Sequence, residues 1–271
     1  MDIGLLLAMG ALLLVIGAFA GVLAGLLGVG GGIVLVPAFF YAFTALGYGS
    51  EELMQVCLGT SLATIIVTSI RSVLSHHKRG AVDWDILKGW AIGIALGAVL
   101  GGLVATALRT QILQAIFGVL AMIVALYMVF GRSSWRLGEG MPRGPARLVL
   151  SPLIGFLSVL MGIGGGSFGV PVMTLYGLPI HRAVATASGF GLTIALPSVA
   201  IFLFTDIAAP PPWTLGAVNL PAFVLVIATT FVTTPWGAAL AHRTDAARLK
   251  RIFGVFLFLV AANMLRKAAG I

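Results

Sequence analysis

The chain is poor in charge and nearly free of cysteine. Of its 271 residues, 9% are Asp, Glu, Lys or Arg and 60% are hydrophobic, with a mean hydropathy of +1.12. A soluble domain has no means of hiding that much apolar surface, which excludes a soluble enzyme or binding module. Cys57 stands alone, so an internal disulfide and a two-thiol relay are excluded. The eight acidic residues, Asp2, Glu51, Glu52, Asp83, Asp85, Glu139, Asp206 and Asp245, all fall in loops or at the ends of apolar segments. A cation pump or a carboxylate proton relay buries at least one such group at membrane depth, so the absence favours an anion or a neutral solute. His76, His77, His181 and His242 sit at segment edges without ligand spacing to cysteine or carboxylate, and no metal or other cofactor is expected. The net charge of +8 comes from basic residues between apolar spans, not from a patch interleaved with aromatics, which argues against a nucleic-acid partner.

What the chain does have is a succession of apolar segments, and a spanning helix needs about 20 such residues. Five fall in the first half, at 4–27, 31–46, 53–75, 86–108 and 112–130, and five in the second, at 147–162, 166–178, 182–204, 217–241 and 249–267. The expected fold is an all-α integral membrane protein of about ten segments, organised as a first repeat (1–130), a linker (131–146) and a second repeat (147–271). The start imitates a signal peptide, with Ala18-Phe19-Ala20 after an apolar run, yet Asp2 is its only charge. It is read as a retained first helix.

Laid over itself, the chain shows an internal repeat. Gly28, Gly30, Gly31, Gly32 and Pro37 fall on Gly162, Gly164, Gly165, Gly166 and Pro171; "GAVDW" at Gly80–Trp84 meets "GAVNL" at Gly216–Leu220; "IFGV" recurs at Ile116–Val119 and Ile252–Val255. Lys and Arg favour cytoplasmic loops. Placing "SHHKRG" inside puts Arg71, Lys78, Arg79, Arg143, Arg147 and Arg182 on that side, with both termini outside. Five crossings per half make the repeats inverted, as in many secondary transporters. The short second segment of each half, interrupted by the glycine run and the proline, reads as a broken or re-entrant helix.

Two glycine series, Gly17-x-x-x-Gly21-x-x-x-Gly25 and Gly93-x-x-x-Gly97-x-x-x-Gly101, read as ordinary close packing of helices. The clusters at 28–32 and 162–166 differ. Four glycines in five residues do not sustain a helix and leave backbone N–H groups free at membrane depth. A helix restarting at Ile33 or Phe168 points its N-terminus at a cavity and offers a small anion its unpaired amides. A hinge or packing role without ligand contact is the competing reading. Thr60, Ser61, Thr186 and Ser188 flank small residues beside the broken segments. With Gly28, Gly30, Gly31, Gly32, Gly162, Gly164, Gly165, Gly166 and Ser167 they make up the candidate substrate-binding set. Thr64, Thr68 and Thr193 read equally well as hydroxyls bonded to their own i−4 carbonyls. No phosphate-binding loop with its lysine is present, and "GLLGVGG" lacks the strand and acidic residue of a dinucleotide fingerprint.

At "GLLGVGGGIVLVP", at "GTS" (Gly59–Ser61) and at "GIGGGSFGVPVMTLYGLPIHRAVATAS" (Gly162–Ser188), the chain resembles the TauE/SafE family of sulfite and organosulfonate exporter-like permeases. The likeness extends over essentially the whole chain. It implies transport of small, often sulfur-containing anions such as sulfite, sulfoacetate or taurine-derived compounds across the bacterial inner membrane. In this alignment Ala187 stands where the first half has Thr60, which implies unequal contributions from the halves. The reading is a secondary transporter moving a small anion by alternating access, with a proton or sodium ion, or the substrate's own gradient, as driver. A passive small-anion channel is the alternative, and a membrane enzyme is disfavoured by the lone cysteine and the absence of buried carboxylates.

Overall fold

The computed structural model describes residues 3–27, 31–131, 135–241 and 246–270; Gly28 and Gly30 of the candidate set lie outside the described residues, as do Asp2, His242 and Asp245. Among the described residues the chain forms ten helices, α1 (Ile3–Leu27), α2 (Gly32–Ala45), α3 (Leu53–Lys78), α4 (Trp84–Ala107), α5 (Thr110–Phe130), α6 (Pro145–Leu160), α7 (Gly166–Leu175), α8 (Ile180–Leu203), α9 (Leu220–Ala241) and α10 (Ala246–Ala268). A two-stranded antiparallel hairpin that the apolar pattern did not foretell, β1 (Thr214–Leu215) with β2 (Val218–Asn219), precedes α9.

Five described helices, α3, α4, α5, α8 and α9, are long and apolar enough to cross a membrane. By contrast α2 has 14 residues and α7 has 10, lengths of about 21 and 15 Å against a hydrocarbon core of about 30 Å. Neither crosses alone. The glycine runs set where these short helices begin, but the prolines do not interrupt them. Pro37 and Pro171 each occupy the sixth position, and the helix continues beyond. A proline there removes a single i→i−4 bond, to Ile33 or Ser167, which a helix tolerates when neighbours hold it.

Helices α3 and α8 are the centre of the assembly and pack against one another. The apolar window of α3 is 83% buried and that of α8 61%, while those of α4 and α5 are each 39% buried. The first helix of each half lies on the fourth helix of the other, α1 on α9 and α6 on α4, and the fifth helices, α5 and α10, pair together. Lipid offers no hydrophobic drive between helices, so these contacts depend on close backbone approach. The two glycine series supply it. Gly17 and Gly21 face Val226 and Thr230 of α9, and Gly93, Gly97 and Gly101 face Ser151, Pro152 and Phe156 of α6. The repeated "IFGV" has the same use in both copies: Gly118 lies against Leu265 and Ala261 of α10, and Gly254 against Met128 and Ala125 of α5. Ile92, Leu96, Leu100 and Leu103 form an exposed apolar stripe on α4, at 76, 59, 57 and 53% exposure. A face of that kind belongs against lipid.

A side chain at Gly97 would overlap the Pro152 carbonyl, whereas one at Gly89 would meet only the tip of Arg147. Gly97→Val is therefore expected to destabilise the protein by roughly 1–3 kcal/mol or more in detergent thermal denaturation, and Gly89→Ala to leave the midpoint unchanged or slightly raised.

Candidate functional site

The second glycine cluster is built in parts with different duties. Gly162, at φ +60°, ends α6: its N–H donates to the Val159 carbonyl (2.8 Å) and the Ile163 N–H donates to that of Ser158 (2.9 Å). This is a glycine C-cap, and the left-handed backbone it needs is the reason for glycine there. The Gly162 carbonyl accepts from Ser61 Oγ of α3 at 2.7 Å, fully buried. Gly32, at the start of α2, faces the same carbonyl and Ser61 Oγ so closely that a Cβ would overlap them. Gly32, Ser61 and Gly162 thus form one packed junction where α2, α3 and the α6–α7 turn meet, while Gly31 lies against the Ala20 backbone of α1.

Gly164, Gly165 and Ser188 are brought together elsewhere. They line a cavity of about 10 Å³, the room of one water-sized sphere, with Thr68, Ser69 and Ser72 of α3 and Ala24, Ala187 and Gly191. Thr68 Oγ donates to the Thr64 carbonyl (3.1 Å) and Ser188 Oγ to that of Ala185 (2.6 Å). Ser69, 4% exposed, has no hydrogen-bond partner for its hydroxyl among the described residues. Helix α7 starts at the cavity's edge. The N–H groups of Gly166, Ser167 and Phe168 are the donors a first turn leaves over, and none has a partner among the described residues. Ser167 Oγ is likewise buried and unpartnered. Among the described residues no carboxylate or cationic side chain lines the cavity, and each described acidic residue lies outside the helices or in a first turn.

Thr60 and Thr186 tie the halves together. The backbone N–H of Asn219 donates to Thr60 Oγ, and that of Asp83 to Thr186 Oγ, both at 2.9 Å. Asp83 and Asn219 are equivalent residues of the repeated "GAVDW" and "GAVNL". Each caps the following helix through its side chain, Asp83 Oδ1 accepting from Ile86 N–H and Asn219 Oδ1 from Ala222 N–H, both at 3.1 Å. Each is preceded by a glycine of positive φ, Gly80 (66°) and Gly216 (56°). Contact thus pairs Thr60 with Thr186, which corrects the alignment that set Thr60 opposite Ala187. The linear comparison slipped by one residue because small and hydroxyl residues alternate in both segments. Beyond these exchanges, Arg182 forms a 2.9 Å ion pair with Asp83, and the Arg71 guanidinium stacks 3.7 Å over Phe231. Neither arginine lines the cavity.

Sequence reasoning omitted Ser69 and Ser72 and left Thr68 undecided. The available signal was the spacing Ser61, Thr64, Thr68, Ser72, a hydroxyl row at helical period.

The family model described as "Sulfite exporter TauE/SafE" matches residues 13–264. A "Probable membrane transporter protein" of Haemophilus influenzae is 34% identical over 240 residues, covering 88% of this chain and 91% of its own length. The "Probable membrane transporter protein YunE" of Bacillus subtilis is 26% identical over 255 residues, 87% of this chain and 90% of that one. A probable membrane transporter protein of Methanocaldococcus jannaschii is 26% identical over 240 residues, 87% and 88% respectively. No solved structure matches.

Thr60→Val removes the acceptor for a buried backbone N–H. It is expected to lower stability by about 1–3 kcal/mol, read as a fall in the thermal midpoint, whereas Thr60→Ser should retain most of it.

Proposed function

The chain belongs to the sulfite exporter TauE/SafE family of multi-pass membrane transporters, and from that premise we propose that it is a secondary carrier for a small anion. The observation that supports this most is the cavity of hydroxyls and glycine amides at the start of α7, lined by Thr68, Ser69, Ser72, Ser188, Gly164 and Gly165. An anion leaving water needs donors in place of its hydration shell. Neutral amides and hydroxyls at a helix N-terminus supply them together with a favourable dipole. The family's name makes sulfite the substrate to test first, with an organosulfonate or a related sulfur-containing anion as the proposed wider class.

The cavity admits one water-sized sphere, so loading a sulfur oxyanion requires the α7 end to move away from α3 and α8. The proposed motion is alternating access by two inverted repeats. Three exchanges between the halves support that reading: α1 on α9 with α6 on α4, α5 with α10, and Asp83 to Thr186 with Asn219 to Thr60. In the proposed orientation the 78–83, 139–147 and 176–182 segments, which carry basic residues, lie on the cytoplasmic side. In the proposed mechanism the anion is held at Gly164–Ser167 and Ser188, the paired halves rock about this point, and an ion gradient or the anion's own gradient drives the cycle.

Proteoliposomes carrying the purified protein test this with labelled sulfite, an organosulfonate and sulfate, with and without proton and sodium gradients. Saturable, gradient-driven counterflow of one anion is the expected result; ohmic single-channel conductance would replace the carrier with a channel. Gly164→Leu, which fills the cavity wall, is expected to reduce that flux at least tenfold in a protein that still inserts and elutes as a single folded species.

A further inference from the structure

Two repeats invite the expectation of two equivalent sites, one at each glycine cluster. The side chains that α3 and α8 carry at equivalent positions argue otherwise. The contacts of Thr60 and Thr186 with Asn219 and Asp83 fix the correspondence between α3 and α8, and the burial pattern along the two helices repeats in the same register from 66–71 to 192–197. In that register Thr68 and Ser69 of α3 stand where α8 has Ile194 and Ala195, and Ser188 and Gly191 of α8 stand where α3 has Leu62 and Ile65. Hydroxyls and a glycine on one side become hydrocarbon on the other.

The hydroxyls that the remaining positions retain are differently engaged. Ser72 lines the cavity, whereas its counterpart Ser198 is fully buried and donates to the Ile194 carbonyl at 2.8 Å. Ser61, the counterpart of Ala187, donates to the Gly162 carbonyl within the packed junction. At Gly31 and Gly32 the neighbours are the Ala20 backbone, Ser61 and the Gly162–Ile163 backbone. The cavity at Gly164 and Gly165 has instead Ser69, nine-tenths buried and without a hydrogen-bond partner among the described residues, in its wall.

Resting on the reading of the chain as an anion carrier, we infer that among the described residues the polar ligand site is one-sided: the second glycine cluster binds the anion against Thr68, Ser69 and Ser72 of the first half, and Gly32 with Ser61 is a packed pivot. The halves are then related in fold but divided in labour. The second half of α3 supplies the specificity-determining hydroxyls, and α8 supplies Ser188 and, at Gly191, the missing side chain that lets Ser69 Oγ approach. The ligand class is a small oxyanion able to take several neutral donors at once.

The test places single cysteines at equivalent positions, Ser69→Cys and Ala195→Cys, in a protein whose Cys57 is replaced by alanine. Each membrane-embedded variant is reacted with a small negatively charged methanethiosulfonate. The expected result is modification of Ser69→Cys at least tenfold faster than Ala195→Cys. Equal rates, or faster reaction at Ala195→Cys, would overturn the one-sided site. This readout does not depend on transport, so absence of flux for every anion would remove the carrier reading while leaving this comparison to be decided by the labelling rates. A second arm uses flux in reconstituted vesicles: Ser69→Ala is expected to raise the KM for the transported anion at least fivefold with little change in maximal rate, and Ala195→Ser to leave both unchanged. An unaltered KM in folded Ser69→Ala would also overturn the assignment.

Discussion

A backbone N–H inside an apolar layer must find a partner, and this constraint organises the molecule. Helices satisfy it for most of the chain, but two glycine clusters break the helices where no lipid-exposed irregular backbone is tolerated. The structure meets the cost in two ways. At Gly162 the loose ends are closed by a C-cap and by Ser61, which donates to the remaining carbonyl. At the start of α7 the donors of Gly166, Ser167 and Phe168 stay open beside a small cavity lined by hydroxyls. The second cluster thus combines a sealed turn at Gly162 with an unfilled set of donors at the start of α7, and the proposed anion site lies at the latter.

The same constraint explains how the halves are joined. The loops before α4 and α9 dip toward α8 and α3, and their leading N–H groups, at Asp83 and Asn219, come to rest on threonine hydroxyls of the opposite half. Each half completes the hydrogen bonding of the other. Glycine-lined contacts of α1 with α9 and of α4 with α6 flank this arrangement. Motion of one half against the other is therefore proposed to work through contacts of modest individual strength, since a neutral buried hydrogen bond contributes only about 0.5–1.5 kcal/mol.

Much of the fold was legible because membrane segments advertise themselves by length and hydropathy. All ten helices start and stop close to the apolar runs, and the glycine series at 17–21 and 93–101 do pack helices. The prolines misled, since Pro37 and Pro171 suggest breaks that tertiary neighbours absorb. The hairpin at 214–219 was hidden in a segment with too few residues for a period to show. The candidate residues were harder to sort. Sequence proximity to the clusters grouped Thr60, Thr186 and Ser188, yet only three-dimensional pairing separates the two tethering threonines from the serine that lines the cavity. Ser69 and Ser72 lay too far along α3 for proximity in sequence to reveal them, because α3 and α8 cross beside the glycine cluster only in the folded chain.

The most direct test of the central claim is to locate the anion itself. A crystal of the protein soaked in selenite, the selenium counterpart of sulfite, gives an anomalous signal wherever the oxyanion resides. A single strong peak is expected within hydrogen-bonding reach of the Gly164–Ser167 amides and the hydroxyls of α3. A peak at the Gly31–Gly32 junction, two equal peaks related by the repeat, or a peak only at surface arginines would contradict it.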